Sequence, residues 1–179
     1  NTGATITYAV TVTDTNDQSP VYQAADADDA ISVAEGVTAV DTGTITDTDT
    51  VGTLACTLGG ADAASFSCTV SGSNAVVAFQ AAKDFEAPGS ADNDNVYTVT
   101  VLVDDGVGDD AAGATTLTVT VTDVNDQTPT YAATDTTPSV AEATTAVETN
   151  IAITDSDTGD VNACTLGGVD AGSFTCTVT

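Results

Sequence analysis

Carboxylates crowd this chain at spacings that suit a hard cation. The segment Val12-Thr-Asp-Thr-Asn-Asp-Gln-Ser-Pro20 returns as Val121-Thr-Asp-Val-Asn-Asp-Gln-Thr-Pro129, 109 residues on. Within five residues each copy offers two carboxylates and two side-chain amides, and a proline then ends the run. Calcium takes roughly six to eight oxygens, drawn from carboxylates, amide carbonyls and backbone. Three further elements carry the same chemistry. They are Asp155-Ser-Asp157 with its copy Asp47-Thr-Asp49, Asp84-Phe-Glu86, and the single Glu35. Alternate residues of an extended segment face one side, so Asp84 and Glu86 present both acids together.

The same residues exclude most catalysis. There is no histidine and one basic residue, Lys83. The usual nucleophile–base sets are therefore absent. Paired carboxylates can serve glycoside hydrolysis, but these acids line up with repeat positions rather than with a cleft. We read no enzyme.

The formal net charge is −26 over 179 residues. Such self-repulsion opposes a compact state. Apolar residues at 41%, recurring with strand periodicity, argue against disorder. Bound divalent cations or very salty surroundings would each offset the charge. Even halophilic acidity would spread the acids, whereas here they concentrate at matching positions. With no basic patch, nucleic acid is not a partner. No apolar run approaches the roughly 18 residues of a membrane span.

Self-similarity sets the organisation. Ser32-Val-Ala-Glu35 recurs as Ser139-Val-Ala-Glu142, and Ala55-Cys-Thr-Leu-Gly-Gly60 as Ala163-Cys-Thr-Leu-Gly-Gly168. The period is about 108 residues, the size of one small β domain. We read residues 1–20 as the last strand and linker of one repeat, 21–129 as a complete repeat with its linker, and 130–179 as the first half of the next. We read the chain as a window from a longer tandem array.

Seven short strands are expected in the complete repeat, at 30–34, 41–47, 53–58, 66–70, 75–80, 96–103 and 114–123. The runs at 96–103 and 116–121 alternate apolar and polar residues, as half-buried strands do. Gly, Asp, Asn and Ser punctuate the gaps. Seven strands in about 100 residues point to an all-β, Greek-key, immunoglobulin-like sandwich. Aromatics make up 4%, so the core is expected to rest on Val, Ile, Leu and Ala. The turns Asp92-Asn-Asp-Asn95 and Asp26-Ala-Asp-Asp29 read as hydrated, with a further ion as the other reading.

Cys56 and Cys68 lie 12 apart, and Cys164 and Cys176 repeat that spacing. Each pair flanks a Gly-Gly-x-Asp-Ala turn between adjacent strands. An even count in matched positions reads as one disulfide per unit, with free buried thiols as the other reading. A zinc site needs four ligands, and two cysteines per unit without histidine are too few. Disulfides place the chain outside the cytosol.

Taken in order, Glu35, Asp84-x-Glu86, Asp123-x-Asn-Asp126, a proline and Asp155-x-Asp157 resemble the cadherin repeat. The Asp84-Phe-Glu-Ala-Pro and Asp123-Val-Asn-Asp segments resemble in particular the cadherin-like tandem repeats of large bacterial surface proteins. The resemblance implies about three calcium ions at each inter-repeat junction. For one junction it implies Glu35, Asp84, Glu86, Asp123, Val124 through its carbonyl, Asn125, Asp126, Asp155 and Asp157 as ligands. For the upstream junction it implies Asp14, Thr15 through its carbonyl, Asn16, Asp17, Asp47, Asp49 and Asp105. The family motif ends in asparagine where this chain has Gln18 and Gln127. Glutamine keeps the amide oxygen but adds a methylene, which bears on the third ion.

The implied role is mechanical: calcium shared between neighbouring repeats rigidifies an extended extracellular rod at a cell surface. Partners are then the neighbouring repeats of the same chain. Self-association into fibres, or capture of a cell-surface ligand by an adhesive repeat, is the alternative. No aromatic cluster or pocket sequence marks a recognition surface.

Overall fold

A computed structural model describes residues 3–26, 29–49, 51–106, 113–132, 137–149 and 151–178. The chain divides into two compact units, Asn1–Thr122 and Asp123–Thr179. Among the described residues no helix is long and apolar enough to cross a membrane.

The first unit is a sandwich of two four-stranded sheets. Its strands are β1 (Val21–Gln23), β2 (Ala30–Ala34), β3 (Ala39–Thr46), β4 (Ala55–Gly59), β5 (Phe66–Ser71), β6 (Asn74–Phe79), β7 (Val96–Asp104) and β8 (Thr115–Thr122). One sheet runs β1-β3-β6-β5 and the other β2-β8-β7-β4. All pairings are antiparallel except β2 with β8, which is parallel and sets Val33 opposite Val121. The opening strand is thus split between the sheets. The sequence pattern located its second part, β2, and missed β1, whose three residues are too few to show a period. Strand β4 also begins two residues later than expected. Thr53 is held outside the sheet, its N–H donating to the Asp105 carbonyl at 2.9 Å.

Alternation fills the space between the sheets. Tyr97, Val99, Val101 and Val103 of β7 and Leu117, Val119 and Val121 of β8 line the inner side of one sheet, and Ala75, Val77 and Phe79 of β6 line that of the other, all buried. Each fully buried valine contributes roughly 1.5–3 kcal/mol relative to exposure. The expectation of an aliphatic core needs correction. Four of the eight aromatic residues, Tyr22, Phe66, Phe79 and Tyr97, lie in it. Phe66 stacks on Phe79 at 4.6 Å between centroids, and Tyr97 meets Phe79 edge-on at 5.2 Å. Aromatics are few, but each buries far more surface than a valine. Lys83, the one cation, places its Nζ 5.2 Å from the ring centroids of both Phe79 and Tyr97.

In the β1-β3-β6-β5 sheet the Tyr22 ring covers Gly43. A Cβ at that glycine would lie 2.4 Å from Tyr22 Cε2. The tyrosine hydroxyl donates to Asp41 Oδ2. Burial first, then that hydrogen bond and the charges of Asp41 and Asp29, holds the phenol above its ordinary range.

Cys56 and Cys68 form a disulfide with Cα atoms 6.0 Å apart. The bond joins β4 to β5, the edge strands of opposite sheets. The intervening turn is therefore a crossover, carrying a short 3-10 turn at Ala63–Ser65. Closing a loop this short constrains the unfolded chain by about 3 kcal/mol.

The second unit holds β9 (Thr130–Tyr131) paired antiparallel with β10 (Ile153–Thr154), and a 3-10 turn at Ala171–Ser173. Cys164 and Cys176 form its disulfide, again with Cα atoms 6.0 Å apart. Both turns and both disulfides thus recur in register. Tyr131, the counterpart of Tyr22, is exposed. Glu148 matches Asp41, but no glycine stands between Val147 and Ile153 where the first unit has Gly43, so the tyrosine's glycine seat is not repeated.

Candidate metal centre

The upstream acidic set assembles inside the first unit. Asp49 Oδ2 accepts the main-chain N–H groups of Asp17 at 2.8 Å and Gln18 at 2.6 Å. Its own N–H donates to Asp47 Oδ1 at 3.0 Å, which folds Asp47-Thr-Asp49 into a tight turn at the end of β3. Asp105 comes from the loop after β7 and is buried. One carboxylate oxygen from each of Asp47, Asp49 and Asp105 lies within 4.8 Å of the others. Its neighbour Asp104 is spent locally, accepting the Gly106 N–H at 2.6 Å. Gly52 lets the linker approach: a Cβ there would sit 2.8 Å from Asn16 Nδ2 and 3.0 Å from the Asp105 carbonyl. Asn16 brings its amide into this place, with Oδ1 and Nδ2 both buried and without a hydrogen-bond partner. Asp14, Thr15 and Asp17 are exposed beside it.

At its other end the first unit presents Glu35, Asp84 and Glu86. Glu35 is buried, and its Oε2 accepts the Phe85 N–H at 2.8 Å. Asp84 Oδ1 accepts the N–H groups of Glu86 at 3.1 Å and Ala87 at 3.2 Å, shaping the turn. The carboxylates of Glu35 and Glu86 come within 4.8 Å of each other.

The second unit rebuilds the linker arrangement from its own residues. Asp157 Oδ2 accepts the Gln127 N–H at 2.8 Å, as Asp49 does for Gln18. Asp123 Oδ2 accepts the N–H and hydroxyl of Thr158. Asp126 and Asp157 bring oxygens within 4.8 Å of each other, and so do Asp155, Asp157 and Asp160. Asp157 is 8% exposed, and its Oδ1 is buried without a partner. The Oδ1 atoms of Asp155 and Asn162 are likewise buried and unpartnered. Val124 and Asn125 are exposed.

Asp160 escaped the sequence reading because its counterpart is Gly52, so no repeat register marks it. The extra methylene of the glutamines also finds a use. Gln18 Nε2 donates to the carbonyl of Asp17 at 3.1 Å and to its Oδ1 at 3.2 Å, and Gln127 Nε2 donates to Asp126 Oδ1 at 2.6 Å. The two suspected hydrated turns separate. Asp94 Oδ1 takes the Ser90 hydroxyl and the Val96 N–H, closing its turn internally. Ala27 and Asp28 lie outside the described residues.

Two like charges 4.8 Å apart repel by about 1 kcal/mol in water and about 3 kcal/mol at an effective dielectric of 20. Clusters of three, with unpartnered buried oxygens beside them, are poor structures without a counter-charge. The donors are all oxygens, and all four cysteines are in disulfides. That donor set fits calcium rather than zinc or copper.

No family model matches the chain, and no curated relative does. Solved structures do. Protocadherin Gamma B2 extracellular cadherin domains 3–6 align at 21% identity and a TM-score of 0.55, over 82% of this chain and 35% of that one. The protocadherin gammaB7 EC3-6 cis-dimer structure aligns at 22% identity and a TM-score of 0.53, with the same coverage. Human CDH23 EC21-23 aligns at 20% identity and a TM-score of 0.53, over 83% of this chain and 49% of that one. The chain thus spans between about a third and a half of these structures. Their likeness bears on the fold: it is an immunoglobulin-like sandwich similar to those of the cadherin domains in these structures.

Proposed function

We propose that this chain is a calcium-binding structural segment of an extracellular surface fibre or adhesin, in which calcium at the repeat junctions stiffens an extended rod. One observation carries the reading. The linker is docked on an Asp-x-Asp turn twice, by Asp49 holding Gln18 and by Asp157 holding Gln127. Each docking stands beside a cluster of three carboxylates. A single acidic loop is commonplace, but the same linker docking in register at both repeats is not.

The repeats would then be 1–20, 21–129 and 130–179, with neighbouring repeats of the same chain as partners. Asp14, Thr15, Asn16, Asp17, Asp47, Asp49 and Asp105 would hold ions at the upstream junction. Glu35, Asp84 and Glu86 would share ions with Asp123, Val124, Asn125, Asp126, Asp155 and Asp157 at the next, on the evidence of their order in the sequence. Bound calcium supplies positive charge among facing carboxylates. Binding energy gained only in the ordered arrangement becomes stability of that arrangement. The disulfides support an extracellular site. The absence of histidine and the lone lysine support a role without catalysis. Chelation is expected to lower the melting temperature and increase flexibility in small-angle scattering; unchanged melting and scattering would refute the reading.

A further inference from the structure

Asn95 belongs to no ligand set, yet it connects two of the elements that carry ligands. It lies just before β7, is 8% exposed and adopts a left-handed φ of 62°. Asparagine tolerates that conformation better than most residues. Its Nδ2 donates to the Phe85 carbonyl at 2.8 Å. On the other side of the same residue, the Phe85 N–H donates to Glu35 Oε2 at 2.8 Å. Phe85 is therefore gripped at both its N–H and its carbonyl, and it is the residue between Asp84 and Glu86. Asn95 also accepts the Val121 N–H at 2.9 Å through its own carbonyl. Strand β8, which holds Val121, runs directly into the linker that begins at Asp123.

Asn95 Oδ1 is buried and has no hydrogen-bond partner. An orphaned acceptor costs about 1–3 kcal/mol. Turning the amide over would only set its oxygen against the Phe85 carbonyl oxygen. The residue thus carries a cost that an apolar residue of similar size would avoid.

We propose that Asn95 is a positioning residue for the cation site. It touches no ion. It holds the Asp84-Phe-Glu86 turn in fixed relation to Glu35 and to the strand feeding the linker. The inference rests on the calcium reading above. Outer-shell partners of this kind typically change metal affinity about 10–100-fold when removed.

The test is Asn95→Gly, which keeps the left-handed backbone and removes the Nδ2 donor, with Asn95→Asp as a near-isosteric second variant. Val77→Ala, in the core, controls for general destabilisation. Calcium affinity is measured by calorimetric titration of the full chain, and melting is followed in chelator and in saturating calcium. Both Asn95 variants are expected to weaken calcium binding about tenfold or more and to shrink the calcium-induced rise in melting temperature. Val77→Ala is expected to lower melting in both conditions with its affinity unchanged. Asn95 variants that behave like Val77→Ala would overturn the positioning role while leaving the calcium reading intact. A parent chain that binds no calcium would overturn both.

Discussion

Asp49 accepts the main-chain N–H of Gln18 at 2.6 Å across thirty-one residues of sequence. The bond pins an acidic linker onto an acidic turn, against their mutual repulsion. Asp157 and Gln127 repeat it at 2.8 Å. Two carboxylate-rich segments are thereby held together, beside clusters in which oxygens of three aspartates lie within 4.8 Å of one another.

Neutralising that carboxylate should therefore have opposite effects with and without calcium. Asp49→Asn keeps an oxygen to accept the linker N–H groups but removes one charge from the Asp47–Asp49–Asp105 cluster. In chelator the variant is expected to melt at or above the parent temperature, since about 1–3 kcal/mol of repulsion per pair is relieved. In calcium it is expected to melt below the parent. A thermal melt in each buffer checks both signs.

Gly43 is required by the ring above it. Gly43→Ala would place a Cβ 2.4 Å from Tyr22 Cε2. Overpacking of this kind costs typically about 1–3 kcal/mol. Urea denaturation should show the loss, whereas Gly113→Ala, with nothing within 4 Å of the added carbon, should not show it.

Tyr22 confers a pH dependence at the alkaline end. Burial, followed by the hydrogen bond to Asp41 and the charges of Asp41 and Asp29, raises the phenol above its ordinary 10.0. The unfolded chain loses this proton near pH 10 while the folded one keeps it. The stabilisation is thus complete below about pH 10 and declines as pH rises above it. Tyr22→Phe is expected to flatten that decline between about pH 9 and pH 11. It should also be less stable at neutral pH, because buried Asp41 loses a donor. Denaturation midpoints at several pH values measure both effects.

The disulfide between β4 and β5 ties the open edges of the sandwich. Replacing Cys56 and Cys68 together by alanine is expected to cost about 3 kcal/mol. Denaturant titration of the double variant, at fixed calcium, checks the value.

Much of this was legible in the residues, for identifiable reasons. Strands β7 and β8 alternate over eight or nine residues, long enough for a period of two to stand out. The linker tag and the Asp-x-Asp turn stood out because each recurs in register, whereas Asp84, Glu86 and Asp105 occur once and rested on the family resemblance. Strand β1 was not legible, since three residues hold no period. Asp160 stands where the other repeat has Gly52, so self-similarity conceals it. Asn95 looked like part of a wet turn. Only the fold shows that it is buried and bonded to Phe85. The aromatic part of the core was hidden by composition, which counts residues and not the area each one buries.

Calorimetric titration of calcium into the chelator-stripped chain tests the central claim most directly, with Asp49→Asn/Asp157→Asn as the comparison. The expected result is saturable binding of more than one ion by the parent chain and binding weakened at least about tenfold in the double variant, in line with the loss of a charged ligand from each cluster. No saturable binding at millimolar calcium, or equal binding by parent and variant, would contradict it.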